Sequence, residues 1–169
     1  MGVNLNMGVR NCIELGENAQ KIMQRLLANQ NLLKLLYYTD KDPLSQPDLT
    51  KEQIQNEVFD KLIKIIPRVG PKETAHSIVS IRFTRGRRNL TNKEFENISV
   101  AVESFVPLTQ WIIKGTNLRP FAIMGEIQKS LNEKTINGLG KMIGGDFDLN
   151  FLTEEISAYE QSFSLVTYD

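Results

Sequence analysis

The sequence predicts an α+β domain in which a mostly antiparallel β-sheet with a long hairpin is flanked by an N-terminal helix, with one further helix packed on one face. Apolar residues recur with a helical period up to about residue 66, and the period becomes two from His76 onward. Strand patterns come in runs around one later helical pattern, which is typical of α+β folds. The 169 residues fit a single domain, with an N-terminal helical region at about 13–66 and a sheet-and-helix core at about 76–169.

The N-terminal region predicts two helices. Residues 13–38 form one apolar stripe without proline, and the stripe ends before Asp42-Pro43 because a residue that precedes proline avoids the α conformation. Thr50 and Gln53 have the spacing of a capping box, which predicts a second amphipathic helix. This helix is expected to end at Pro67, and residues 69–71 are expected to form a loop.

A long hairpin is predicted next. Val79, Ile81 and Phe83 alternate with polar residues and indicate a strand, and residues 98–102 show the same alternation. Residues 85–89 between these strands are predicted to form a basic loop tip. Residues 105–113 either continue the second strand or form a third one, and Pro107 marks an edge or a bend.

The last third predicts one helix and a final strand. Pro120 fits the first position of a helix at 120–133, because its missing N–H is not needed there. The apolar face of this helix is expected to carry Phe121, Met124, Ile127, Gln128 and Leu131. The glycines at 138, 140, 144 and 145 predict turns or a β-bulge, and residues 156–168 predict a long strand.

Net charge is zero, with 20 basic and 20 acidic residues, which excludes a generally basic coat for nucleic acid. The distribution is uneven: residues 61–90 have a net charge of +7, and residues 144–169 have a net charge of −6. These two blocks either pair within one subunit, meet between copies that associate head to tail, or form two solvated surfaces.

No residue pattern indicates catalysis, a metal or a cofactor. The only cysteine, Cys12, and the only histidine, His76, lie in no recognisable nucleophile motif. Asp146-Phe147-Asp148 resembles part of a calcium loop, and Asn150 falls at the position of a third ligand, but Phe151 replaces the turn glycine and the spacing to a later glutamate is not completed. No phosphate-binding loop is present, so we expect no enzymatic activity, no catalytic residues and no cofactor. We also expect no membrane partner and no signal peptide, because the apolar runs are short.

The charged blocks supply candidate interface residues. Arginines near the hairpin tip either contact an acidic protein surface, touch a nucleic-acid backbone or remain solvated. The interface candidates are Arg82, Arg85, Arg87, Arg88, Glu154, Glu155 and Glu160.

Two segments carry a family resemblance. Residues 118–131, opened by Leu118-Arg119-Pro120-Phe121 and followed by a glycine-rich loop and the final strand, resemble the tail terminator proteins of tailed bacteriophages. Residues 31–44 are similar to the opening of head–tail joining proteins of phages from Gram-positive hosts. The Pro-rich stretch at 43–50 has no obvious counterpart in the family.

The resemblance implies a structural virion protein. It implies a homo-oligomeric ring, a hexamer in the family, that caps the tail tube and joins it to the head-side connector or stopper protein, with passage of DNA through the lumen. The expected location is the tail or neck of the virion, and the host cytoplasm during assembly. A head–tail stopper or other neck protein of the same junction is one alternative. A small nucleic-acid-binding module that uses the basic hairpin is another.

Overall fold

The computed structural model of the chain describes residues 12–66, 75–91, 95–115 and 117–166, and for Arg88, Phe151 and Leu152 it describes the backbone only. The predicted loop at 69–71 and the predicted helix end at Pro67 lie outside the described residues. The helices are α1 Cys12–Leu27, α2 Gln30–Tyr37, α3 Lys51–Gln53 and α4 Arg119–Leu131. The strands are β1 Ile63–Lys64, β2 Ile78–Arg88, β3 Phe95–Pro107, β4 Thr135–Ile136, β5 Gly140–Leu152 and β6 Ile156–Val166.

In the described residues, these six strands form one curled sheet in the order β1-β2-β3-β6-β5-β4. Only the short β1 runs parallel to its neighbour, and every other adjacent pair is antiparallel. The predicted α+β class with a mostly antiparallel sheet is therefore confirmed.

The predicted hairpin at 79–102 is confirmed as the β2–β3 pair, in which Ile78 lies opposite Phe105 and Arg88 lies opposite Phe95. The predicted basic loop tip is wrong, because residues 85–88 belong to β2 itself. The β2–β3 register shifts on both sides of Arg85, as it does at β-bulges. The apolar alternation of β2 ends at Phe83, but its pairing with β3 continues to Arg88. β3 continues the strand pattern through Pro107 and is followed by a 3-10 turn, so residues 105–113 contain no separate strand.

The final strand is confirmed as β6, which pairs with the long β5. The predicted bulge is also present, because the β5–β6 register shifts between Gly144 and Phe147. A Cβ atom at Gly145 would lie 2.9 Å from the carbonyl oxygen of Ser162, so the backbones approach closely at a position that suits glycine.

The helix predicted at 13–38 is two helices, α1 and α2, that meet at Asn29. The Asn29 side chain caps α2 by accepting a hydrogen bond from the backbone N–H of Leu32 at 3.1 Å. Its amide nitrogen donates to the Glu126 carboxylate at 3.0 Å and to the Ser130 hydroxyl at 2.9 Å, both on α4. The apolar stripe continues across this break, so its period did not reveal the change in direction.

The capping box of Thr50 and Gln53 is confirmed, with both reciprocal hydrogen bonds formed. The helix that it opens is much shorter than predicted, since α3 gives way to one π-helical turn that ends at Val58. Ile63 then lies in β1, fully buried and paired with Val79 of β2. Pairing with a neighbouring strand has overridden the helical pattern of this segment.

Helices α1, α2 and α4 pack with the sheet face that carries Val79, Ile81 and Phe163 into one apolar core. The predicted helix at 120–133 is confirmed as α4, with Pro120 in its first turn. Two members of its predicted buried face are exposed, Phe121 and Gln128, whereas Ile123 is fully buried. Phe121 instead lies at the edge of the core, with its ring 5.3 Å from that of Tyr159.

Candidate assembly surface

A polar network crosses the sheet face opposite the main helical core. Arg82 on β2 donates to the Glu103 carboxylate on β3 at 2.5 Å and also to the Glu160 carboxylate on β6. Asn150 on β5 donates to Glu103 at 2.6 Å and to Glu160 at 3.2 Å. Glu103 is only 3% exposed, so its charge depends on these two donors. The network ties together the four long strands of the sheet.

The structure therefore divides the predicted interface candidates into separate groups. Arg82 and Glu160 are brought together and are bonded within the chain. Arg85 and Arg87 are exposed on the outer part of β2, where Arg88 continues the backbone.

Glu154 and Glu155 are exposed in the turn between β5 and β6. Neither residue belongs to the four-strand network, whose carboxylates are those of Glu103 and Glu160. The two adjacent acids of the turn therefore remain at the surface as one acidic group.

In the part of the chain that the structure describes, the outer edge of β2 is open along most of its length. The parallel β1 pairs with β2 only at Val79 and Ser80. From Ile81 to Arg88, β2 pairs with β3 on its inner side, and no strand of the described chain pairs with its outer side. We call this outer side, residues 81–88, the basic edge.

The outer edge of β5, near the other end of the sheet, is also open as far as the described residues go. β4 pairs with β5 only at Gly140 and Lys141, and the Asn132 side chain accepts a hydrogen bond from the Gly144 N–H at 2.6 Å. From residue 145 to residue 152, no strand within the described ranges pairs with the outer side of β5. We call this outer side, residues 145–152, the acidic edge.

The acidic edge alternates acidic and apolar side chains. Asp146 and Asp148 are exposed, and Phe147 and Leu149 are 57% and 53% exposed. Exposed apolar side chains beside an unpaired strand edge are an unusual combination, since natural edge strands are commonly protected against pairing. Sequence reasoning treated Asp146 and Asp148 as part of an acidic block and as part of an incomplete calcium loop, and it assigned no surface role to Phe147 and Leu149. The alternation from 146 to 149 was the available signal.

An apolar pocket of about 240 Å³ lies beside the basic edge. Its apolar lining comes from α1, β2 and β3, and Arg85 and Gly86 of the basic edge also line it. The apolar lining residues are Leu15, Phe83, Phe95 and Ile98.

Other candidate chemistry is dispersed. His76 Nδ1 lies 3.0 Å from the carbonyl oxygen of Tyr37, and its ring stacks on the Tyr37 ring, whereas Cys12 is exposed at the start of α1. Among the described residues, no group of three acidic, histidine or cysteine side chains is placed to hold a metal ion. No helix in the described ranges is long and apolar enough to span a membrane.

The fold and this surface together define the class of the protein. It is an α+β protein whose helices cover one face of a curled antiparallel sheet, and in the described chain this sheet has two open edges of opposite charge. The chain belongs to the YomW family, whose model matches residues 29–162. The family name is of the Bacillus prophage type, which indicates a phage-associated protein. Comparison with curated proteins and with solved structures found no match to either.

Proposed function

We propose that this phage-associated chain is a structural virion protein of the head–tail junction, a tail terminator that forms a ring on the tail tube. The observation that carries the proposal is the pair of open sheet edges with opposite charge on one chain. The resemblance of residues 31–44 and 118–131 to tail terminator and head–tail joining proteins adds the place in the virion.

A ring requires that one surface of each subunit contacts a different surface of the next subunit. The acidic and basic edges meet this requirement because they belong to different strands, β5 and β2, at separate places in the sheet. β3 and β6 lie between them, and three strand spacings correspond to roughly 14 Å. In the described chain, both edges are therefore open to strands of other copies.

The proposed partners follow from the role. The ring contacts the tail tube on one side and the head-side connector on the other, and DNA passes through its lumen. The exposed turn with Glu154 and Glu155 lies outside both edges, and it supplies charged side chains for these contacts. The protein in this role performs no chemical reaction and needs no cofactor.

Electron microscopy of the chain with purified tail tubes of the same phage tests this function. We expect a closed ring of several subunits, six by the family resemblance, bound at one end of each tube. Binding to isolated connectors, with no binding to tubes, would instead assign the chain as a stopper.

A second outcome would contradict a role at the junction altogether. A chain that binds neither tubes nor connectors, but binds DNA with an affinity that falls steeply with salt, would be a nucleic-acid-binding module. Measurement of DNA binding at low and high salt therefore accompanies the microscopy.

A further inference from the structure

We infer that copies of this chain join by sheet extension, in which the acidic edge of one copy pairs with the basic edge of the next. The inference rests on the proposed ring and names the surfaces that form it. Strand addition supplies backbone hydrogen bonds for affinity, and the side chains beside the new strand pair give specificity.

The strand directions permit this pairing. Adjacent pairs among β2, β3, β6 and β5 are all antiparallel, so β2 and β5 run in opposite directions at the two edges. When a second copy continues the sheet with its helices on the same side, its β2 lies antiparallel to β5 of the first copy. The same junction then repeats at every copy without a change in strand geometry.

The protected parts of the two edges set the register. β1 covers β2 at Val79 and Ser80, and β4 with Asn132 covers β5 up to Gly144. The unpaired segment of β5, residues 145–152, lies fully alongside the unpaired segment of β2, residues 81–88, when one copy shifts along the strands by about four residues, or roughly 13 Å. A stagger of this kind is also what a closed, tilted sheet needs.

Charge complementarity selects a second copy as the occupant. The shifted register brings Asp146 and Asp148 of the acidic edge to the outer part of β2, which carries Arg85 and Arg87. These four side chains are exposed, and no hydrogen bond or ion pair within the described chain involves their charged groups. Opposite charges on facing surfaces favour the correct pairing and disfavour an edge that meets its own kind.

Phe147 and the apolar pocket give the pairing a hydrophobic contact. Phe147 lies opposite Gln161, which lies opposite Val102, which lies opposite Ile81. Cross-strand partners share a face of the sheet, so Phe147 lies on the same face as Phe83, two residues after Ile81. Phe83 lines the pocket beside the basic edge, and the cavity of about 240 Å³ accommodates a phenylalanine ring.

Charge-reversal variants test the pairing in the full chain, with association measured by sedimentation velocity over a concentration series. Asp146→Lys with Asp148→Lys, and separately Arg85→Glu with Arg87→Glu, are expected to weaken association at least tenfold. The variant with all four changes has complementary edges again, and it is expected to recover most of the association. Glu52→Lys with Glu57→Lys changes net charge by the same amount as the acidic-edge reversal at positions outside both edges, and it is expected to associate as the wild type does.

A second pair of variants tests the apolar contact. Phe147→Ser is expected to weaken association about ten- to hundredfold, which corresponds to the loss of one buried aromatic side chain. Leu44→Ser removes another exposed apolar side chain, in the 3-10 turn Pro43–Ser45 outside both edges, and is expected to have no effect. Melting temperatures within a few degrees of the wild type establish that each variant folds.

Two results would overturn the inference. One is a wild-type chain that stays monomeric at every concentration, since two complementary edges need no template. The other is a set of folded variants in which neither reversal weakens association, or in which the fourfold variant fails to recover it. If the chain still caps tail tubes in either case, the proposed function stands and the copies join through another surface.

Discussion

Replacement of Arg119 by methionine gives a sharp test of how the helical layer is held together. Arg119 is fully buried at the start of α4, and no carboxylate contacts its guanidinium group within the described chain. The group donates instead to four carbonyl oxygens: Gln110 at 2.9 Å, Leu35 and Tyr38 at 2.7 Å each, and Asp40. One side chain thus ties the end of α2 and the segment after it to the start of α4.

The magnitude follows from these contacts. Hydrogen bonds to charged groups contribute about 1.5–3 kcal/mol each, so four of them sum to about 6–12 kcal/mol. Burial of the cation offsets much of this stabilising energy. Burial is also the main cause that lowers the pKa of Arg119, whereas the charge of nearby Asp40 raises this pKa. Methionine removes the cost of burying the charge but leaves four carbonyl groups without this donor, and two of them belong to the buried residues Leu35 and Gln110. We therefore expect Arg119→Met to lower the free energy of unfolding by about 3–5 kcal/mol.

Urea denaturation, followed by far-UV circular dichroism and by the fluorescence of the only tryptophan, Trp111, measures this change. Trp111 is a suitable probe because its carbonyl oxygen accepts a hydrogen bond from the Arg119 backbone N–H at 2.8 Å. Arg119→Lys serves as the comparison, since lysine keeps the charge but lacks the planar fork of donors, and an intermediate loss is expected. A loss below 1 kcal/mol for Arg119→Met would refute the claim that these four bonds hold the helices together.

Two further predictions concern local backbone and charge. Gly125→Ala is expected to stabilise the protein by about 0.5–1 kcal/mol, because Gly125 lies inside α4 and, apart from the α4 backbone and the two adjacent residues, no atom lies within 4 Å of an added Cβ. Gly145→Ala is expected to destabilise it through the 2.9 Å contact with the Ser162 carbonyl. Thermal melting of both variants checks the opposite signs, and equal shifts would contradict them. The hydrogen bond from Lys114, at 2.7 Å, holds the pKa of Asp42 below its ordinary value of 3.8, so Lys114→Met should raise this pKa towards 3.8 in a carboxyl NMR titration. An unchanged Asp42 pKa in the variant would contradict this effect of Lys114. Because the pKa of Asp42 is lowered in the folded chain, its contribution to stability is present above pH 3.8. This contribution is lost as pH falls through the folded-state pKa.

Features that depend on neighbouring residues in the chain were predictable. The alternation at 79–83 and 98–102 predicted the β2–β3 hairpin because a strand places successive side chains on opposite faces. The capping box at Thr50 and the proline at residue 120 marked helix starts because both act on the adjacent turn. The charge asymmetry between residues 61–90 and 144–169 could likewise be read directly from the sequence.

Other features depend on residues that are distant in the chain, and sequence patterns could not supply them. The helix break at Asn29 involves contacts with Glu126 and Ser130 on α4, and Ile63 became a strand residue by pairing with Val79. The local apolar pattern was compatible with helix in both places, so tertiary contacts decided the outcome.

The candidate surface divides in the same way. The sequence alone was enough to predict the class of fold, a mostly antiparallel sheet with helices, and two blocks of opposite charge. The folded chain was needed to show that Arg82 and Glu160 bond within one chain, while Arg85 and Asp146 lie at opposite open edges. Strand order makes this distinction, because it sets which charges lie within reach of each other and which remain separated by β3 and β6.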